Sequence, residues 1–366
     1  MSAPIASVPG MGGATIRVPG FRVVRSGRLH RYVLITSVGV IAVFVSLPFW
    51  ATNATTRTLV TFFTLLALAQ MWNLLGGYAG LISVGQQAYV GIGAYGLWLL
   101  SDELGIHPFA GAVLAAGLAA LVALPAAPLL FRLRGGYFAI GTWVFAEVVR
   151  LIVANIQTTG GGSGKTIISA AHLPMETRIA GTYYLGLFVA VGSVLLVYFL
   201  LRSRLGLALT AIRDNELAAQ SSGVNVFRAK LWVYVIAAFG CGMMGSVVAL
   251  NLLRIQPSAS FSINWTAFAL FIVIIGGFGT IEGPIIGAVI YYSLQQTLSQ
   301  YGTTYMLLLG VIAVIFATKA PRGIWGFVEK RWDLHLFPVR RGLVIEAPPE
   351  GTKAPSEPAV ASAETA

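Results

Sequence analysis

The chain has 366 residues, 57% of them hydrophobic and 10% charged, and its mean hydropathy is +0.80. So apolar a composition excludes a soluble globular protein and marks a polytopic membrane protein. The net charge of +11 does not signal nucleic acid, because the basic residues sort by membrane side instead of gathering in one patch, and the lone cysteine, Cys241, excludes an intrachain disulfide or a paired-cysteine metal site.

Residues 1–31 are rich in Gly and Pro and carry Arg17, Arg22, Arg25, Arg28 and Arg31 with no acidic residue, which reads as a basic cytoplasmic tail. The run from Tyr32 to Trp50 is too long for a signal-peptide core and lacks a small-residue cleavage pattern, so it is expected to remain as a first span. Further spans are predicted at 58–75, 79–100, 108–131, 137–157, 183–201, 231–253, 265–281, 284–299 and 304–318, each near or somewhat below the ~20 residues that cross the hydrocarbon. The expected fold is all-α, with about ten transmembrane helices. Spans interrupted by Gly76-Gly77, by Pro125 and Pro128, or by Gly276-Gly277 are expected to be broken, tilted or re-entrant. With the N terminus inside, 19 of the 24 Lys and Arg fall on the predicted cytoplasmic side, so the positive-inside rule favours ten spans with both ends in the cytoplasm. The predicted domains are the basic tail over 1–31, a membrane domain over 32–330 and a cytoplasmic tail over 331–366. From about Arg340 that last tail is rich in Pro, Ala, Glu and Ser and is expected to be disordered.

The polar segment 202–230 stands out between two apolar runs and reads as a docking loop. Within it, Ala211 to Gly223 has the parts of one short helix: Asp214 or Asn215 to cap it, Glu216, Leu217, Ala218 and Ala219 to favour its interior, and Gly223 to stop it. In span 3, the stretch Gly80 to Tyr89 sets Ser83, Gln86, Gln87 and Tyr89 among glycines in an apolar run and predicts an interrupted helix. Ser83 and Gln87 share a face; they can offer polar groups to a solute or hydrogen-bond between helices, and both readings stand. Span 5 holds Glu147 and Arg150, the one clear acid–base pair inside a predicted span, on neighbouring positions of one helix face. A charge at the bilayer centre costs roughly 2.5–3.5 kcal/mol on insertion scales, so the pair should face protein or a water-filled path, as a structural anchor or as part of the substrate route.

In span 7, Ala237, Cys241, Gly245 and Ala249 run beside Ala238, Gly242 and Ser246 as two small-residue stripes, which predicts close helix packing. Gly160 to Thr166 imitates a phosphate-binding loop, but Thr159 stands where the pattern needs glycine, so the segment reads as a flexible external gate or partner-facing loop. Gly76-Gly77-Tyr78-Ala79-Gly80 and Gly276-Gly277-Phe278-Gly279-Thr280 are similar enough to hint at a repeat. His30, His107, His172 and His335 are scattered, and no nucleophile, paired carboxylate or cofactor constellation marks an enzyme, so neither metal nor cofactor is expected.

Four segments, taken in order, resemble the permease subunits of branched-chain amino acid ABC transporters, the LivM-like members in particular. They are Gly76 to Tyr95, Leu133 to Arg150, the loop 202–230, and Ile275 to Ala288; the likeness spans roughly residues 35–330. It implies an ABC importer permease fold in a bacterial inner membrane and a transport subunit that is not itself an enzyme. It also implies a second permease, most simply in a heterodimer, two cytoplasmic ATPases that bind the ATP, and an external solute-binding protein. Urea or short-chain amides are the alternative substrates, and an ion-coupled secondary transporter is the alternative class. In such transporters a cytoplasmic coupling helix sits in a groove on the ATPase. The segment Arg213 to Gly223 is similar to that element, which carries the role over to Arg213, Asp214, Glu216, Ala218, Ala219 and Gly223. The substrate path is assigned to Ser83, Gln86, Gln87, Tyr89, Glu147 and Arg150. The chain departs from the family's pattern at Leu207, Asn215 and Gly164-Lys165.

Overall fold

The computed structural model describes residues 7–9, 15–17, 21–24, 28–298, 301, 304–320, 323–332 and 342–345. Contacts divide the chain into a unit formed by Met1–Arg31 with Pro338–Ala366 and a second unit, Tyr32–Phe337. The first contains two short antiparallel pairs, β1 (Ser7–Pro9) with β2 (Thr15–Arg17) and β3 (Phe21–Val24) with β6 (Gly342–Ile345). Most of both predicted tails lies outside the described residues; of the stretch beyond Arg340 expected to be disordered, Gly342–Ile345 is instead the paired strand β6, and the rest is outside them.

The second unit is helical. Its first elements are α1 (Arg28–Ser46), α2 (Asn53–Asn73), α3 (Gln86–Trp98), α4 (Pro108–Leu130) and α5 (Gly136–Asn155). The one-turn α6 (Ile168–Ala171), the long α7 (Met175–Arg202), α8 (Arg204–Asp214), α9 (Glu216–Ser221) and α10 (Val226–Leu252) follow. The chain then forms α11 (Pro257–Ser260), α12 (Asn264–Gly276), α13 (Glu282–Leu298), α14 (Thr304–Lys319) and α15 (Gly323–Trp332). Among the described residues seven helical runs are long and apolar enough to cross a membrane, and a shorter apolar helix covers Ile35–Phe49. The expected span at α3 is shorter than a full crossing, because the helix starts at Gln86, after the glycine break, and not at the predicted residue 79; α13, at 17 residues, stays close to its predicted bounds and is likewise short.

The middle of the bundle is α10, against which α3, α4 and α2 pack. Its two small-residue stripes make this possible. Gly242 lies against Gly93 of α3 and against Ala116 and Ala119 of α4, Gly245 lies against the backbone of Val90, and the Ser246 hydroxyl donates to the Gly93 carbonyl at 3.0 Å. With no side chain between them the backbones come close enough for dispersion and interhelical hydrogen bonds, which stabilise helix pairs where lipid supplies no hydrophobic drive. The α2 run is 83% buried along its most apolar window and α10 72%, whereas α5 is only 17% buried and presents Tyr137, Ile140, Val144 and Ile152 outward. Thus α2 and α10 form the core and α5 the flank.

Candidate functional site

Two glycine-containing breaks meet at one end of the bundle. The first follows α2, where a π-helical turn, Leu74–Tyr78, carries the chain to Gly80, whose φ of 68° lies in the left-handed region that favours glycine. The second, Gly277 to Ile281, separates α12 from α13. Gly77 sits directly on Gly279: a Cβ on Gly77 would fall 2.9 Å from the Gly279 Cα. Backbone amides and carbonyls freed at a break in an apolar helix must find partners, and α2 supplies them. Asn73 Oδ1 accepts from the Gly279 N–H at 2.9 Å, its Nδ2 donates to the Thr280 carbonyl at 2.8 Å, and Gln70 Nε2 donates to the Ile281 carbonyl at 2.9 Å. The similarity of the two pentapeptides therefore corresponds to a physical contact. Gly323, at the start of α15, packs on the backbone of Gly276 and Gly277 from another side.

Arg213 ties the loop 202–230 to this junction. Its Nη1 donates to the Gly77 carbonyl at 3.0 Å, and a Cβ on Gly279 would lie 3.1 Å from the same nitrogen. The expected single helix is two, because Asn215 is extended (φ −158°, ψ 109°) and separates α8 from α9. Asn215, not Asp214, is the cap: its Oδ1 accepts from the Ala218 N–H at 3.1 Å. Gly206, Leu209 and Ile212 bury one face of α8, Ala219 is buried under α9, and Gly223 ends α9. Glu216 pairs with Lys230 of α10 at 2.8 Å, which holds α9 to a core helix. Asp214, Ala218 and Gly223 are exposed. So is Leu217, 75% exposed, an apolar side chain at the tip of a polar loop.

Ser83, Gln86, Gln87 and Tyr89 are all buried at the entry to α3. The Trp72 indole donates to the Ser83 carbonyl at 2.8 Å, the Ser83 hydroxyl accepts from the Gly85 N–H at 3.2 Å, and Thr142 Oγ1 on α5 accepts from the Val84 N–H at 3.0 Å. Gln86 Oε1 accepts from the Cys241 thiol at 3.3 Å while its buried Nε2 has no partner, Gln87 bonds to Thr266, and the Tyr89 hydroxyl donates to that of Tyr234 at 2.9 Å. Glu147 and Arg150 pair with each other on α5, with side chains 44% and 27% exposed. Among the described residues neither side chain hydrogen-bonds to Ser83, Gln86, Gln87 or Tyr89, so the structure does not join the two halves of the predicted path by a polar contact.

The glycine loop 160–166 is pinned. β4 (Lys165–Thr166) pairs antiparallel with β5 (Arg254–Ile255), Lys165 Nζ lies over the Trp98 ring at 5.1 Å, and Asp102 accepts from the Ile168 and Ser169 N–H groups at 2.8 and 2.9 Å. This differs from the flexible gate expected from glycine content, because tertiary pairing supplies the order that composition does not. Among the described residues no cluster of potential metal ligands occurs. Sequence reasoning passed over Gln70, Asn73 and Thr142, and named Leu217 only as a helix former; the first two carried a readable signal, two amides three residues apart in the apolar second half of α2.

The sequence matches the family described as "Branched-chain amino acid transport system / permease component" over residues 54–317. It is 29% identical over 320 residues to the high-affinity branched-chain amino acid transport system permease protein LivM of Escherichia coli (strain K12), covering 78% of this chain and 73% of that protein. To the protein of the same description from Salmonella typhimurium it is 31% identical, over 69% of this chain and 65% of the relative. The ribose import permease protein RbsC of Haemophilus influenzae is 27% identical over 54% of this chain and 67% of its own length, so the likeness extends beyond one solute class. No solved structure matches the chain. A multi-pass helical protein with this match through the glycine junction and the loop 202–230 belongs to the branched-chain amino acid transport system permease family.

Proposed function

We propose that the chain is the membrane permease subunit of an ATP-driven ABC importer that moves branched-chain or related amino acids delivered by an external solute-binding protein. In this reading it lies in a bacterial inner membrane with both termini in the cytoplasm. It forms a heterodimer with a second permease and is driven by two cytoplasmic ATPases, which hold the ATP; the chain needs no cofactor of its own. The observation that carries the mechanism is the bond from Arg213 to the Gly77 carbonyl, which links a capped, partly exposed helix pair to the junction of two broken core helices.

Leu217 suits an apolar groove on the ATPase, with the exposed Asp214 near it to meet a basic residue beside that groove, while Glu216 stays paired with Lys230. Movement of α8 and α9 on ATPase closure would reach Gly77 through Arg213 and pass to Gly279. Two glycines in contact have no side chains to interlock, so they are suited to a small sliding displacement between two packings. The requirement is energetic: ATPase closure must favour one of these packings over the other. In this reading Ser83, Gln86, Gln87 and Tyr89 hold the broken start of α3 in register. Glu147 and Arg150, half-exposed on the least buried span, face the solute path or the seam with the second permease, since lipid would not solvate them.

The test is uptake by the assembled complex in proteoliposomes. ATP-dependent accumulation of leucine that persists without an ion gradient supports the proposal. Uptake of urea or short-chain amides in place of leucine would change the substrate class, and dependence on an ion gradient would remove the coupling role from Arg213 and α9.

A further inference from the structure

At the end of the bundle remote from Arg213, a cleft of about 390 Å³ opens between α2, α10 and α13. Arg57 and Gly77 are separated by nearly the whole of α2 and the turn after it, ~30 Å of helix at 1.5 Å per residue. If α9 meets cytoplasmic ATPases, the cleft faces outward; this inference rests on that reading of the topology. Its lining is rich in polar side chains for so apolar a protein: Arg57, Thr58 and Thr61 from α2, Asn251 next to Leu252 from α10, and Tyr292, Gln295 and Gln296 from α13.

Three features define what such a cleft accepts. First, Arg57 is the only charged residue of α2, no acidic residue lines the cleft, and Arg57 has no ion pair among the described residues. An arginine on the external side also runs against the positive-inside bias, so topology does not account for it. Second, the other polar groups are neutral hydroxyls and amides, which can donate to an oxyanion and accept from an ammonium group. Part of this set is already held in place: the Tyr292 hydroxyl donates to the Thr58 carbonyl at 3.3 Å and accepts from Gln296 Nε2 at 3.1 Å. Third, the cleft lies over the ends of α2 and α10, the two most buried long helices, and not on the flank that α5 presents. Its volume falls at the lower end of the ~300–1,000 Å³ typical of small-molecule sites.

We infer that this cleft is a binding site for the carboxylate of a small polar solute, held by the planar fork of Arg57 with the amides of Asn251 and Gln295 beside it. A guanidinium and a carboxylate match in geometry as well as charge, and a site without a competing acid leaves the fork free. For an importer this would be a receiving site, occupied after the solute leaves its carrier and before it enters the membrane domain.

The test uses the full chain in phosphatidylcholine nanodiscs, without partner proteins, and saturation-transfer NMR with leucine, isovalerate and leucinol. Leucine and isovalerate share a carboxylate, whereas leucinol keeps the amine and side chain without it. Saturation by the first two but not by leucinol is expected. Arg57→Gln should weaken both by about ten- to a hundredfold, the range of a charge-assisted hydrogen bond, and Arg57→Lys should retain part of the binding. Because Arg57 is partly exposed, both variants are expected to keep the wild-type melting profile, which is measured alongside. Equal signals from all three compounds, no binding by the wild type, or unchanged binding in a folded Arg57→Gln would overturn the inference. So would displacement of isovalerate when phosphatidylglycerol is added to the discs, which would mark a lipid-phosphate site. Leucine uptake by the whole complex separates the two levels: if it continues while the NMR test fails, the transport reading stands and only the cleft falls. If the complex carries a neutral amide while isovalerate still binds through Arg57, the cleft stands and the substrate reading falls.

Discussion

Gly77→Ala tests the glycine junction at its point of contact. A Cβ on residue 77 would lie 2.9 Å from both the Cα and the N of Gly279, well inside the ~3.5–4.0 Å at which carbon atoms attract one another. The residue lies within the helical turn Leu74–Tyr78 and has no positive φ, so alanine fits its backbone and the effect is steric. Overpacking of this kind costs about 1–3 kcal/mol. The same Cβ would press on Asn73 Oδ1, and relief by moving that side chain would break its 2.9 Å bond from the Gly279 N–H. A buried polar group left unpaired adds about 1–3 kcal/mol more.

Gly117→Ala is the matched control, since it adds the same methyl to an exposed position in α4 with nothing within 4 Å. A helix-interior alanine there should be neutral or stabilising, by up to about 1 kcal/mol. The assay is thermal unfolding of the purified protein in detergent, with ATP-driven uptake by the complex measured on the same variants. Gly77→Ala should melt clearly below wild type and reduce uptake, and Gly117→Ala should melt at or above wild type with normal uptake. If the two variants melt alike, Gly77 does not bear on Gly279 and the junction loses its place in the mechanism.

Leu217→Asp should leave the melting temperature unchanged, because the side chain is exposed, while lowering ATP-driven uptake; full uptake in this variant would remove α9 as the docking element. Asn215→Ala deletes the cap of α9 and should destabilise it by about 1 kcal/mol, read as faster amide exchange over 216–221 with the interior of α10 unaffected. Glu147→Gln leaves Arg150 without its charge partner. If the pair lies on the solute path or at the permease seam, uptake should fall several-fold; normal uptake in a folded protein would remove the pair from both.

Hydropathy located the long spans because burial in lipid acts on every residue of a helix, so the signal accumulates over a whole segment. Where a helix ends or breaks, a single contact decides, and the sequence was less informative. Ala211 to Gly223 has good helix formers on both sides of Asn215, so propensity alone favours one helix. The kink arises because α8 buries Leu209 and Ile212 while α9 is held to Lys230 through Glu216, and one straight helix is not what those anchors produce. The amphipathic α15 was missed for a related reason: ten residues are too short for a span, and Gly323 makes sense as a start only when seen packed on Gly276 and Gly277.

The glycine pentapeptides mark the boundary between what a sequence exposes and what it conceals. Their similarity was visible, but glycines alone do not say which break faces which. The polar residues of α2 do carry that information. In an apolar segment an amide is costly unless it has a partner, and free backbone groups occur chiefly where another helix is broken. Gln70 and Asn73, three residues apart and just before the first break, therefore point to a second break beside the end of α2. Only one other Gly-Gly pair, Gly276-Gly277, falls inside a predicted span, 265–281, and so breaks it. The pairing of the two breaks thus follows from asking what a buried amide needs, a question that periodicity and propensity do not pose.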